Sequence, residues 1–396
     1  MEVNTVELRW SAPGGGVKQL PSATFLPLLR KAVETAPDRA DLQVQLAWTL
    51  FRADLMTELV DRFGPLRDDP AANPELLFAV ARAAISLGDD ELMLAALRAS
   101  AAQGFEPAFR YLAESFARLD RPDDALDAAL RALDRTDDSA ALRIVAHVLL
   151  ARGERERLWM LCAKLRARGA YGAYLPSVMA FAASTPEDAA EVAALVDEPR
   201  WFSAAPLGVP DDFNRALAAE LREHRALSSL PSTKATVGAG NRIDQLHLVG
   251  GPLTRDLLAK IRDAVDVYAA QRQAFASHPM IALRPAAVAL NAWAVLVHDH
   301  GHETWHLHPA GWLSGVYYVE VPRVEASAGG HPGAIEFGPH PVGAERPTAG
   351  WPRRLLTPEA GQLLLFPSYY GHRTWPTGVA ESRICVAFDV VPSEAR

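Results

Sequence analysis

Residues 302–309 read HETWHLHP, and His306 belongs to two patterns at once. The first five letters match H-E-x-x-H, in which two histidines four apart on a helix grip one metal and the glutamate serves as base. The next pair, His306 and His308, stand two apart and share a face only on a strand. The backbone through this stretch therefore decides both fold and chemistry. Gly301 precedes it and Pro309 ends it, so helix propensity is poor. No further His or Glu on a plausible downstream helix completes a peptidase site. The stretch reads as strand, with His306 and His308 on one side and Trp305 and Leu307 on the other.

Outward from this stretch, the chain from about Ala287 is a series of short apolar segments. AVALNAWAVLVH, GWLSGVYYVEVP, GAIEFG, GQLLLFPS and RICVAFDVV are rich in Val, Leu, Ile and aromatics and separated by Gly, Pro and His. They predict an all-β module of jelly-roll type. Two helices are expected before it. PDDFNRALAAELREH has an Asp-rich start and carries Phe213, Leu217 and Leu221, while GPLTRDLLAKIRDAVDVYAAQRQ carries Leu258, Ile261, Val265 and Tyr268 on one face. Between them, STKATVGAGNRID reads as a loop or a strand entry.

The first half has a helical period. QLAWTLFRAD ending at Asp54, AVARAAISLGDD around Gly88, YLAESFARLDRPDD around Asp120 and IVAHVLLARGERE around Gly153 align at intervals of 34, 32 and 33 residues. Ala47, Ala81, Ala113 and Ala146 fall at equivalent positions, where small side chains let helices approach. The pattern resembles the tetratricopeptide repeat, although its aromatic positions and closing proline are mostly missing. Composition changes across 184–210, giving a helical-repeat domain over 20–190 and a sheet domain over 200–396.

Net charge is −8, which disfavours nucleic acid as a partner. Cys162 and Cys385 are the two cysteines, far apart, and no disulfide framework is indicated. No segment reads as a secretion signal or membrane span, so a cytoplasmic protein without membrane contact is expected.

His372, in LLLFPSYYGHRTWP, is the natural third ligand for His306 and His308, since an apolar strand delivers it to a turn. On RICVAFDVV, Arg383 shares a face with the small Cys385 and Ala387, leaving room for a carboxylate held in a bidentate pair.

Taken in order, HLHP, LSGVYYVEVP, GAIEFGP, GQLLLFPSYYGHRTWP and ESRICVAFDV resemble the Fe(II)/2-oxoglutarate-dependent oxygenase superfamily. More narrowly, they resemble bacterial oxygenases whose jelly roll follows tetratricopeptide-like repeats. The resemblance implies a double-stranded β-helix with flanking helices, Fe(II) as metal and 2-oxoglutarate as co-substrate. It implies His306 and His372 as iron ligands and Arg383 as the partner of the far 2-oxoglutarate carboxylate, with Ser314, Tyr317 and Tyr318 lining that pocket. His308 stands where the superfamily usually has a carboxylate. Either it is the third ligand, a subgroup trait, or Asp299, Glu303 or Glu336 completes the set. The implied reaction uses O₂ and couples decarboxylation of 2-oxoglutarate, giving succinate and CO₂, to hydroxylation of a prime substrate. A helical-repeat platform favours a peptide or protein as that substrate. Two other readings stay open: a non-enzymatic repeat scaffold with a degenerate jelly roll, and a zinc metallopeptidase, which requires a helix through His302 and His306.

Overall fold

The computed structural model describes residues 8–11, 22–230, 235–324, 330–342 and 347–393. Residues 232–234, the start of the segment read as loop or strand entry, lie outside them. By compactness the chain divides into Gly16–Arg152 and a second unit of Met1–Gly15 with Gly153–Arg396. Composition thus changes near residue 200, whereas compactness changes at Gly153.

The first unit is a helical repeat. Helices Ala40–Arg52 and Met56–Phe63, Pro74–Leu87 and Asp90–Ala102, then Glu106–Arg118 and Pro122–Arg135 alternate with short turns, and Ser139–Ala151 follows. The aligned turn residues Asp54, Gly88 and Asp120 all have positive φ (59°, 74° and 54°), and so has Gly153 (77°) in the second unit. A left-handed residue there ends each helix and satisfies its last carbonyls. Ala47, Ala81, Ala113 and Ala146 are fully buried, as close helix packing requires. The Asn73 side chain accepts from the Glu75 and Leu76 amides, and Asp138 does the same for Ala140 and Ala141.

The second unit is built on strands. In chain order they are β1 (Arg9–Trp10), β2 (Ser203–Pro206), β3 (Ser228–Ser229), β4 (Thr236–Val237), β5 (Gly240–Ile243), β6 (Ala287–Val297), β7 (His302–Glu303), β8 (Leu313–Glu320), β9 (Ile335–Gly338), β10 (Arg354–Leu356), β11 (Gln362–Pro367), β12 (Gly371–Thr374) and β13 (Arg383–Pro392). The main sheet runs β2-β11-β8-β13-β6-β5-β3, with β1 parallel to β6; β10-β9-β12 and β4-β7 form smaller antiparallel sheets. This is the expected jelly roll. The apolar segments read from sequence became β6, β8, β9, β11 and β13.

β8 is buried from Leu313 to Val319, because one of its faces meets the jelly-roll interior and the other meets helix Asp211–Arg222. Burial on both faces explains why LSGVYYV reads as a continuous apolar run rather than an alternation. Helix Pro252–Gln271 buries Leu258, Ile261, Val265 and Tyr268, the stripe its period predicted. Preceding helices also tie into the sheet. The Tyr370 hydroxyl donates to the Val196 carbonyl, and the His340 amide donates to Ser177 Oγ.

Candidate metal centre

The backbone through HETWHLHP is not helical. His302 and Glu303 form β7, and His306 makes an isolated antiparallel bridge with His372, exchanging amide-to-carbonyl bonds of 3.0 and 2.9 Å. A peptidase helix is thereby excluded. The bridge puts two histidines from distant segments side by side, and the His308 amide donates to the Ser368 carbonyl to bring in the third. Ring centroids are 4.1 Å apart for His306 and His372 and 5.2 Å for each pair involving His308.

His306, His308 and His372 each offer a nitrogen within 4.8 Å of the others. Their tautomers follow from their partners. His306 Nδ1 is 2.8 Å from the Thr304 carbonyl, His372 Nδ1 is 3.0 Å from the Tyr370 carbonyl, and His308 Nδ1 is 3.2 Å from an Asp389 carboxylate oxygen. All three partners accept, so each Nδ1 carries a proton and each Nε2 is the nitrogen left for a metal. Burial holds His372 well below the usual imidazole range, with the two neighbouring histidines adding to the effect; burial likewise lowers His306. A divalent metal needs imidazoles with free ring nitrogens gathered in one place, and this donor set fits Fe(II).

Glu303 lies beside this trio. Its Oε2 is 3.4 Å from His306 Nε2 and its Oε1 accepts from Thr236 Oγ1 at 2.9 Å. Burial raises its carboxyl, but a proton on His306, the Thr236 hydroxyl, Arg242 and Arg383 act the other way, and the net direction is down. Asp299 instead pairs with His298, and Glu336 with Arg373 and Arg353. Of the three carboxylates weighed as alternatives to His308, only Glu303 is at the site.

Two cavities meet at Trp293, Glu303, His306 and His308. The inner one is narrow, about 30 Å³, and holds Arg383, Tyr318, Thr374, Cys385 and His372. Arg383 is 2% exposed; its guanidinium donates to Thr374 Oγ1 (2.9 Å) and to the Gly333 carbonyl (3.2 Å). Burial pushes the Cys385 thiol up to about 12, which leaves it an inert side chain, and pushes Tyr318 up too. The outer cleft is about 540 Å³ and is lined by polar groups that include Arg242, Asp244, Gln245, Asn291 and Asp389.

The candidate pocket hydroxyls separate. Tyr318 lines the inner cavity, whereas the Tyr317 hydroxyl donates to Asn214 Oδ1 at 2.5 Å on the opposite face of β8. Ser314 shares the face of Tyr318 but bonds to Asp389 and Ser368 at 2.6 and 2.7 Å. Asp389 itself escaped the sequence reading. The signal was available, since Asp389 continues the alternation Arg383, Cys385, Ala387 along one face of β13.

Comparison with known proteins came to the same segment. Residues 291–389 match a family model described as "Putative 2OG-Fe(II) oxygenase". No curated protein matches the chain in sequence. Among solved structures, a Pseudomonas putida prolyl-4-hydroxylase aligns at 20% identity and a TM-score of 0.35, over 51% of this chain and 99% of its own. The α-ketoglutarate-dependent epimerase SnoN aligns at 16% and 0.36, over 52% and 84%. HygX from Streptomyces hygroscopicus, solved with nickel and 2-oxoglutarate, aligns at 14% and 0.35, over 53% and 88%. The segment that matches this family model contains His306, His308, His372 and Arg383.

Proposed function

We propose that this protein is an Fe(II)- and 2-oxoglutarate-dependent dioxygenase that hydroxylates a side chain of a peptide or protein. The observation that carries the reading is the meeting of three imidazoles with a buried guanidinium in one cavity. His306, His308 and His372 would hold the metal. Arg383 would pair with the far carboxylate of 2-oxoglutarate, with Tyr318 and Thr374 beside it. Bound Fe(II) and 2-oxoglutarate supply the oxidation: one oxygen atom of O₂ enters the substrate C–H bond, the other enters succinate, and CO₂ leaves.

The chain's own part is to position and to exclude water. Val295, Ile335 and Phe366 wall the inner cavity with apolar surface, so that little solvent reaches the reacting centre. The outer cleft is wide enough for a substrate side chain, and its amide and charged groups at Asn291, Gln245 and Arg242 can orient it. A peptide is favoured because the helical repeats, similar in period to the tetratricopeptide type, offer a surface suited to a partner chain. Cytoplasmic location remains part of this reading; among the described residues no helix is long and apolar enough to cross a membrane.

The test is anaerobic loading with Fe(II) followed by addition of 2-oxoglutarate, O₂ and a panel of peptides and metabolites. Succinate should form in an O₂-dependent manner, faster with some peptides than without. Failure to bind 2-oxoglutarate, together with no succinate, would overturn the reading.

A further inference from the structure

We propose that Asp389 supplies, through His308, the negative charge that a carboxylate ligand supplies in a two-histidine-one-carboxylate iron site. The inference rests on the metal reading above and goes beyond it to a positioning residue. Three imidazoles leave a divalent metal with its full +2 charge, whereas the facial triad of non-haem iron sites reduces it by one. In this chain two carboxylates stand by the trio: Glu303 lies 3.4 Å from His306 Nε2, and Asp389 is the one joined to a ligand imidazole by a hydrogen bond at Nδ1. His306 and His372 have backbone carbonyls behind Nδ1, and His308 alone has a carboxylate, Asp389, at 3.2 Å. Such a partner fixes the ring and raises its donor strength.

The surroundings are built to hold that carboxylate in place. Asp389 is 7% exposed, and its second oxygen accepts from Ser314 Oγ at 2.6 Å, which is 2.7 Å from Ser368 Oγ. Ser368 also receives the His308 amide on its carbonyl, so one residue braces both ends of the pair. A Cβ at Gly311 would collide with Ser368 Oγ, which keeps the adjoining loop free of larger residues. Trp293 lies against the His308 ring at 5.6 Å, and His372 stacks on it at 5.2 Å, fixing the plane of the imidazole.

The test uses anaerobic Co(II) and Fe(II) titrations of the full chain. Asp389→Asn keeps the shape and removes the charge; metal affinity should fall about 10–100-fold, and the Fe(III)/Fe(II) potential should rise, since the ferric state loses more. His308→Asp alone should also bind poorly, because the new carboxylate would face Asp389. The double variant His308→Asp with Asp389→Asn should recover affinity to within a few fold of wild type, restoring one carboxylate with no second one opposing it. A merely structural role for Asp389 would give no such recovery. Should Asp389→Asn misfold, Ser314→Ala provides a second probe, loosening the carboxylate without removing it, with a smaller loss expected. Unchanged affinity in Asp389→Asn, or a double variant no better than the singles, would overturn the proposal. A wild-type chain that binds neither metal would instead refute the metal centre itself, and the proposal with it.

Discussion

Arg383 donates to the Thr374 hydroxyl and the Gly333 carbonyl, and these bonds hold its guanidinium in the inner cavity, where bulk water does not screen it. A charge-assisted pair in such a place is worth about 1.5–3 kcal/mol. Arg383→Leu should therefore weaken 2-oxoglutarate binding about 10–100-fold while metal content stays nearly unchanged, as calorimetry and metal analysis would show. Glu303 acts in the opposite sense. Its carboxylate sits where the two cavities join, at the mouth of the inner cavity that holds Arg383. Glu303→Gln removes a negative charge near Arg383 and should tighten 2-oxoglutarate binding by about tenfold, ~1.4 kcal/mol; weaker binding would mean that Glu303 is a ligand or an anchor instead. At this scale the sequence was informative wherever a side chain's spacing encoded its direction. His306 and His308 two apart, and Arg383 with Cys385, are cases of it. Tyr317 was misplaced because adjacent residues on a strand point to opposite faces, so Tyr317 and Tyr318 could never both line one pocket.

Among the elements, legibility followed length. β6, β8, β11 and β13 have enough apolar residues to show themselves, and helix Pro252–Gln271 shows its buried stripe. β3, β4, β7 and β12 are two to four residues long, and their pairing depends on partners distant in sequence. β7 and β12 are among those that set the metal site, so the site's geometry was the least readable part of the chain. The helical repeat was legible through its turns, because Asp54, Gly88 and Asp120 occupy left-handed positions where Asp and Gly are tolerated. Its caps are equally local. Asn73→Ala removes the side-chain acceptor for two amides at the start of Pro74–Leu87 and should lower stability by about 1 kcal/mol, read as an earlier denaturation midpoint.

Across the whole molecule, the buried histidines connect stability to pH. An imidazole in the unfolded chain titrates near 6.5, while burial lowers His372, His306 and His278 in the fold. Above about pH 6.5 both states are neutral and these groups contribute no difference. Below it the unfolded chain takes up protons that the native state refuses, so stability is lost as pH falls from the unfolded value towards the native ones. The metal-free chain should thus melt at progressively lower temperature from pH 7 to pH 5. Double substitution of His306 and His372 by Gln should flatten that dependence. The architecture, a helical repeat unit and a jelly-roll unit, was readable from periods of hydrophobicity; the compactness boundary at Gly153 was not, because composition stays helical through Val196.

The most direct measurement is an anomalous-difference map at the iron edge from crystals loaded anaerobically with Fe(II). The account predicts one peak bound by the imidazoles of His306, His308 and His372. A peak bound by Glu303 in place of His308, or no peak among these histidines, would contradict it.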